Sequence, residues 1–232
     1  MIRHLHPTDS PGLMQFSKSA GRVEVRTLLG SLLDDRVEFP TLKYASIALS
    51  PRAWQSCWVE TRRGRIDGVL RAGPRSRTQS WEVSELYLRK SKEGLAVDLL
   101  EQISIHGGWA GAQRIFLRTT QDSRIYENAR RVGFSHIYHE TVYRSESAHL
   151  TIEKLGVPNH SLDLRPRNES DKLALVQMYN SITPIEARMK SGQISPDWTA
   201  GFERLGRKSS EWVYEMDNGS IGALMQRRFT RS

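Results

Sequence analysis

The chain has 232 residues, of which 38% are hydrophobic and 26% are charged, so it is long enough for one large or two modest domains with real cores. No apolar run reaches the length of a membrane-spanning helix, residues 1–10 lack the apolar core of a secretion signal, and a single cysteine excludes an intrachain disulfide. We therefore expect a cytoplasmic protein with no membrane partner.

The net charge of +8 admits nucleic acid as a partner. The sequence has no zinc-ligand spacing, no RNP-type aromatic motif and no clear helix-turn-helix pattern, and a basic surface around an anionic ligand explains part of the charge. Nucleic acid is therefore not expected as a partner. The histidine pairs His4/His6 and His136/His139 lack the spacing or the nearby carboxylates of a metal site, so no metal is expected either.

The opening of the chain predicts a short strand followed by two helices. Residues 2–5 fit a strand, and Asp9-Ser10 can cap a helix that has Pro11 in its first turn and runs to about residue 20. The apolar residues of 23–33 indicate a second helix. Residues 43–49 fit a strand or a helix.

A hairpin is predicted next. Residues 56–61 and 65–71 flank a turn at Arg62-Arg63-Gly64, and both arms are rich in residues that favour strands. Cys57 lies beside Trp58 in the first arm, and we interpret it as a buried apolar filler rather than a nucleophile.

The segment 81–134 is the most regular part of the sequence and reads as strand, loop, helix, strand, helix. The strand covers 81–88, and the first helix begins at Leu95 and stops at Gly107-Gly108. The second strand and second helix follow at 114–118 and 123–132. Strand, helix and strand in this order predict a right-handed crossover with the two strands parallel. A further strand is expected at 136–144.

The loop before the first of these helices has the features of an anion site. A helix that begins at Gly94 or Leu95 presents unpaired N–H groups and the positive end of its dipole, while Arg89, Lys90 and Lys92 add cations. Together they predict a phosphate cradle. The alternative is a basic turn in front of an amphipathic helix.

Three motifs of this segment carry a family resemblance: ELYL before the loop, G-L-A-x-x-L-L-x-x-I after it, and A-R-R-V-G-F at the end of the second helix. In this order they resemble the GNAT superfamily of acyl-CoA-dependent N-acyltransferases, whose pyrophosphate loop has the form Q/R-x-x-G-x-G/A. Here Ser91 replaces the usual Gln or Arg, Gly94 and Ala96 fit, and Ala129 stands where the family often has a tyrosine general acid. The resemblance covers about residues 1–146.

The resemblance implies a reaction in which an acetyl group passes from acetyl-CoA to a primary amine of a small molecule or peptide. It implies that the backbone at Leu86 to Leu88 polarises the thioester carbonyl, that Glu85 is the general base, and that Tyr126 replaces the missing acid. The residues implied to bind the cofactor are Leu86, Tyr87, Leu88, Arg89, Ser91, Lys92, Glu93, Gly94, Leu95, Ala96, Asp122 and Tyr126. Glu85 as an ion-paired strand residue and Tyr126 as core packing are the alternatives.

The C-terminal third repeats features of the opening. Leu164-Arg165 and Asp171 have the spacing of Ile2-Arg3 and Asp9, and a helix at 173–179 follows. A second hairpin is predicted at 212–224 around Asn218-Gly219. Two further short helices are expected, at 184–189 and 197–205. Coincidental similarity of two α/β segments is the alternative to a repeat.

The expected fold is α/β with an α+β mixed sheet, in which a GNAT-like domain is followed by a truncated GNAT-like half domain. The boundaries are 1–146 for the first domain, 147–161 for a linker and 162–232 for the second. A homodimer is one option for the assembly. Three functions stay open. The first is an active N-acyltransferase, favoured by Gly94 and Ala96, and the second is a degenerate GNAT-like CoA-binding or scaffold protein, favoured by Ser91 and Ala129. The third and least expected is a basic nucleic-acid-associated protein.

Overall fold

The structure, a computed structural model, describes residues 1–26, 39–50, 56–74, 79–90, 92–140, 163–191 and 209–228. The chain divides into two compact units, Met1–His136 and Ile137–Ser232, and each is considered by itself. The linker expected at 147–161 and the helix expected at 197–205 lie outside the described residues. No helix in the described ranges is both long and apolar enough to cross a bilayer.

The first unit is built around a mixed sheet. Its strands lie in the order β1-β3-β4-β5, and both β2 and β6 pair with β5. Only β6 is parallel to its neighbour, and the other pairs are antiparallel, which confirms the α/β class with a mixed sheet. The elements are β1 (Ile2–His4), α1 (Ser10–Ser17), β2 (Ala20–Arg26), α2 (Thr41–Ala48), β3 (Cys57–Arg62), β4 (Arg65–Pro74), β5 (Ser80–Arg89), α3 (Leu95–Trp109), β6 (Arg114–Leu117) and α4 (Arg124–Arg131).

Helices cover both faces of this sheet, and each face has its own core. On one face, α3 and α4 pack on residues that include Leu70 and Leu86. On the other, α1 and α2 pack on residues that include Val69 and Tyr87. Successive strand residues point to opposite faces, which is why the neighbours Leu86 and Tyr87 belong to different cores. Each fully buried leucine contributes about 1.5–3 kcal/mol relative to exposure.

The segment from β5 to α4 agrees with its prediction. Its strands and helices begin within a residue or two of the expected positions, and β5 and β6 are parallel. Ser123 caps α4, because its hydroxyl accepts the N–H of Ile125 at 3.2 Å. The helix ends where Gly133 adopts φ +96° and the N–H of Phe134 bonds the carbonyl of Ala129, a Schellman motif that explains the G-F pair.

The predicted hairpin is also present, as β3 and β4. Arg63 and Gly64 both have positive φ, 50° and 75°, as the two central residues of a type I′ turn require. Cys57 is fully buried in this hairpin, in agreement with its interpretation as an apolar filler.

The structure defines two elements near the start of the chain whose type the sequence predicted wrongly or left open. The helix expected at 23–33 is wrong in its described part, because residues 20–26 form β2; residues 27–38 lie outside the described residues. The β-branched Val23 and Val25 suit a strand, and β2 pairs with an edge of β5 that β6 does not reach. Residues 41–48 form a helix, which buries Tyr44, Ile47 and Ala48 at the i, i+3, i+4 spacing.

Two further expectations are also wrong: the end of helix α3 and the start of a strand at residue 136. Helix α3 continues through Gly107-Gly108 to Trp109. Gly107 is buried where an added Cβ would lie 2.8 Å from Cδ1 of Ile115, so its role is to let the helix approach β6. The strand expected at 136–144 is absent from 136–140, and 141–144 lie outside the described residues.

The second unit has a small antiparallel sheet, β7-β8-β9, with a core of Leu175, Val213 and Ile221. Its hairpin turns at Asn218-Gly219 as predicted, with Gly219 at φ +77°. The elements are β7 (Leu164–Pro166), α5 (Lys172–Ile182), α6 (Ile185–Ser191), β8 (Ser209–Glu215) and β9 (Ile221–Arg228).

The first strands of the two units have matching environments. Arg3 pairs with Val59 across its sheet, and Arg165 pairs with Val213. Each arginine also donates two hydrogen bonds from its guanidinium to the carboxylate of the aspartate six residues later. The nitrogen–oxygen distances are 2.7 and 2.6 Å for Arg3 and 2.9 and 2.8 Å for Arg165. That the second unit is a truncated GNAT-like half domain stays a prediction.

Candidate functional site

Strand β5 bends just before the residue expected to be the base. Arg71 and Ala72 of β4 are neighbours, but they pair with Glu85 and Val83, so Ser84 is an extra residue of β5. Such a bulge bends and twists its strand locally. The parallel pairing with β6 also ends at Val83. Glu85 is therefore the first residue of β5 beyond both the bulge and β6.

Glu85 is a buried carboxylate with partners from helix α2. Its residue is 8% exposed, and Nζ of Lys43 lies 2.8 Å from each of its two oxygens. The hydroxyl of Tyr44 donates to Oε2 at 2.9 Å. The Lys43 side chain is 42% exposed, so it connects the buried carboxylate with solvent. Two neighbouring residues of one helix thus fix the orientation of the carboxylate.

The groups beside this carboxylate are held in their neutral forms. Burial, and then the nearby charge of Glu85, raise the pKa of Tyr44 well above its usual range, so its hydroxyl remains a donor. Burial likewise raises the pKa of the Cys57 thiol, which excludes a reactive thiolate at neutral pH. Proton transfer among these groups therefore centres on Glu85 and Lys43.

Arg89 differs from the free cation that the loop was expected to offer. Its Nε lies 2.7 Å from Oδ1 of Asp67, and a second nitrogen donates to the carbonyl of Ile66 at 2.8 Å. The third donates to the hydroxyl of Ser19. The Arg89 and Asp67 side chains are only 13% and 11% exposed. Arg89 therefore joins three segments of the first unit instead of facing a ligand.

The start of α3 is partly satisfied from within the loop. The N–H groups of Leu95 and Ala96 donate to the carbonyls of Lys92 and Glu93 at 3.0 and 3.1 Å. Fewer N–H groups are thus unpaired than the sequence predicts. Gly94 remains exposed, with no atom within 4 Å of the place of an added Cβ. This open backbone, with the neighbouring lysines, is what remains of the expected phosphate cradle.

The other expected members of the loop site have different surroundings. Leu95 and Ala96 are buried in the core under α3, and Lys92 and Glu93 are half-buried. The carbonyl of Glu93 accepts Nδ2 of Asn128 at 2.9 Å, which ties the loop to α4. Asp122 is exposed next to the cap of α4, whereas Ser91 lies outside the described residues.

The backbone at Leu86 to Leu88 is not free to polarise a carbonyl in this structure. On one side, Leu86, Tyr87 and Leu88 pair with β4. On the other side, Leu86 and Tyr87 pair with Val25 and Val23 of β2. The expectation that this edge faces an acyl group is therefore met only if β2 leaves it.

Tyr126 is not brought next to Glu85. It is half-buried on α4, with its ring centroid 6.4 Å from that of His136. The buried residues of α4, which include Ala129, belong to the core on the α3 face, whereas Glu85 contacts α2 on the other face. Ala129 fills core space. Among the described residues, no cluster of His, Cys, Asp and Glu could hold a metal ion.

Sequence reasoning found Glu85 but missed its partners, Lys43 and Tyr44. The only signal for them was a lysine and a tyrosine side by side in a segment whose element type was undecided. A helix there, with Tyr44 on its apolar face, would have placed the pair against the sheet.

In the first unit, a bulged strand leads through a glycine loop into a helix and returns to a parallel strand, which is the order of elements expected for residues 81–134. No protein-family model matches the chain, and no curated protein matches its sequence.

Several solved structures resemble part of the chain. Aminoglycoside N-acetyltransferase AAC(6')-Iy in complex with CoA is 13% identical, with a TM-score of 0.42 over 63% of this chain and 100% of that one. TTHA1254 from Thermus thermophilus is 11% identical, with a TM-score of 0.41 over 64% and 98%. Ribosomal-protein-alanine N-acetyltransferase from Brucella melitensis is 19% identical, with a TM-score of 0.35 over 48% and 69%. We infer no activity from likenesses of this size.

Proposed function

We propose that the first unit binds an acyl-CoA, with acetyl-CoA as the expected donor, and transfers the acyl group to a primary amine of a small molecule or peptide. The supporting observation is the contact between Glu85 and Lys43. The carboxylate holds a primary ammonium 2.8 Å from each oxygen in a largely buried place. A site with this chemistry can receive a second primary amine and accept its proton.

The donor end of the site fits the charged part of an acyl-CoA. Gly94 is exposed and open, the positive end of the α3 dipole lies behind it, and Lys90 and Lys92 add cations. These groups would hold the diphosphate, and Arg89 would support the loop through Asp67. When bound, an acyl-CoA would supply an activated thioester, whose C–S bond would break as the amine nitrogen bonds the acyl carbon, and CoA would leave as a thiol that takes its proton from solvent.

Three residues of the chain would take part in removing the proton that the amine loses. Glu85 accepts it from the incoming amine, while the hydroxyl of Tyr44 keeps Oε2 oriented. Lys43 must give up one carboxylate oxygen to make room, and its 42% exposed side chain can do so towards solvent. In this scheme Tyr126 has no direct role with the amine, because it lies on the other face of the sheet.

The second candidate function is a degenerate GNAT-like protein that binds CoA or acts as a scaffold without catalysis. The pairing of β2 with β5 at Leu86 and Tyr87 favours it, because that pairing covers the edge that the thioester would need. The core role of Ala129 also favours it, since no tyrosine stands there.

Calorimetric titration with acetyl-CoA tests the proposal. The parent chain and Gly94→Ala should bind, because the alanine methyl group enters open space. Gly94→Glu should abolish binding, since its carboxylate lies where the phosphates would sit. All three should melt alike. Equal binding by Gly94→Glu would place the cofactor elsewhere, and no binding by the parent chain would support a scaffold.

A further inference from the structure

One edge of β5 has two successive partners. Strand β6 pairs with it only as far as Val83. Beyond the bulge, β2 takes over the same edge, with Arg26 opposite Glu85, Val25 opposite Leu86 and Val23 opposite Tyr87. The edge beyond β6 is thus filled by the chain itself.

Strand β2 is also tied to the loop at the start of α3. The N–H of Lys90 donates to the carbonyl of Ser19 at 3.3 Å, just before β2 begins. The guanidinium of Arg89 donates to the Ser19 hydroxyl. Both ends of the proposed donor site, the phosphate loop and the thioester edge, are therefore in contact with one short segment.

The pairing of β2 is irregular. Its register with β5 shifts between Ala20 and Val23 and again between Val23 and Val25. Register shifts disrupt the regular ladder of hydrogen bonds. Among the strands that the structure describes, β2 lies at the edge of its sheet with β5 as its strand partner. Four residue pairs join β2 to β5 and seven join β4 to β5, so β2 is the partner that β5 can exchange more easily.

We propose that β2 is an internal competitor for acyl-CoA: it covers the Leu86–Tyr87 edge in the closed state and must leave that edge when the donor binds. The inference rests on the proposed function, whose thioester edge this is. Because only the open state binds, the apparent Kd for the donor equals the intrinsic Kd divided by the open fraction. Weakening β2 should therefore tighten donor binding.

A proline in β2 gives the sharpest test. Proline fixes φ near −65° and has no N–H, so Val23→Pro weakens the pairing with β5. We expect acetyl-CoA to bind roughly fivefold more tightly, the change that follows from the loss of one hydrogen bond by the competitor. Ile2→Pro is the matched control, because β1 is the opposite edge of the same sheet and should leave the affinity unchanged.

Hydrogen–deuterium exchange of the parent chain supplies a second test that needs no folded variant. Saturating acetyl-CoA should speed amide exchange in residues 20–26, because the strand is released, while it slows exchange in residues 92–97. A ligand that leaves β2 in place would slow or not change exchange at 20–26, and that result would overturn the inference.

The two proposals fail in different ways. If neither the parent chain nor Val23→Pro binds acetyl-CoA and exchange at 92–97 does not change, the proposed function fails. If the parent chain binds and Gly94→Glu does not, the proposed donor site stands. The competitor inference then fails if Val23→Pro, folded as judged by its melting curve, binds no more tightly than Ile2→Pro.

Discussion

Lys43 and Glu85 form an ion pair between a half-exposed cation and a buried carboxylate, with Nζ 2.8 Å from both oxygens. The two residues come from α2 and from the part of β5 beyond the bulge. Exposed partners of ion pairs separate at modest cost, whereas a buried carboxylate without any partner is strongly disfavoured. The arrangement therefore keeps a cation at the carboxylate while leaving that cation replaceable.

Glu85→Gln should leave acetyl-CoA binding unchanged and lower kcat. Loss of a general base typically costs roughly 100- to 10,000-fold, because the amine then loses its proton only to solvent. The measurement is CoA release with a thiol reagent over a panel of primary amines that contains a polyamine, a lysine peptide and a peptide with a free N-terminus.

Glu82→Gln is the matched control for this change, since it makes the same substitution on the same strand before the bulge. It should keep nearly full activity. Equal activity of Glu85→Gln and Glu82→Gln would remove Glu85 from the reaction and leave it with the role of an ion-paired strand residue.

Arg89→Ala should lower the free energy of unfolding by about 3 kcal/mol, because it leaves the buried carboxylate of Asp67 without its cation. The double variant Asp67→Ala/Arg89→Ala should lose less than the sum of the two single variants. Urea unfolding followed by circular dichroism measures the cycle. Additive losses would mean that the two side chains act independently.

Lys90→Ala combined with Lys92→Ala should weaken acetyl-CoA binding roughly tenfold at low salt with no change in melting temperature, because cations in contact with solvent act through screened attraction to phosphate. The loss should shrink as salt is raised. Arg62→Ala combined with Arg65→Ala removes the same charge at the tip of the β3–β4 hairpin. If that pair weakens binding equally, only the net charge matters.

The sequence was sufficient for the segment from β5 to α4, because its signals are local: apolar spacing, a cap at Ser123 and the Gly133-Phe134 end are each read within a few residues. It was insufficient for β2. Residues 23–26 continue into a leucine-rich stretch that fits a helix, and only the vacant edge of β5, distant in sequence, selects a strand.

The candidate site likewise contains one residue that the sequence could identify and partners that it could not. Glu85 could be found from its place in a motif, but its partner Lys43 is 42 residues away, and Asp67, which holds Arg89, is 22 residues away. Composition and spacing describe a basic loop without showing which cation is already paired. That information appears only once the hairpin and α2 are packed on the sheet.

The last prediction concerns stability in acid and the ion pair between Arg165 and Asp171 in the second unit. The hydrogen bonds from Arg165, and then the backbone N–H of Asn168, lower the pKa of Asp171 from 3.8 to about 2. The folded state therefore binds fewer protons than the unfolded chain between these values, so the contribution of Asp171 is complete above pH 4 and is lost as the pH falls towards 2.

Asp171→Asn should accordingly melt at a lower temperature than the parent chain at pH 6, and the difference should narrow steadily from pH 4 to pH 2. Asp9→Asn is the matched variant of the first unit: burial opposes the shift, but hydrogen bonds from Arg3 and from the N–H of His6 still lower the pKa of Asp9. Asp9→Asn should also melt at a lower temperature than the parent chain at pH 6, and this difference should also narrow towards pH 2. Calorimetric melting of the full chain across this pH range makes the comparison. A gap between parent and Asp171→Asn that stays constant down to pH 2 would show that the ionisation of Asp171 does not stabilise the fold.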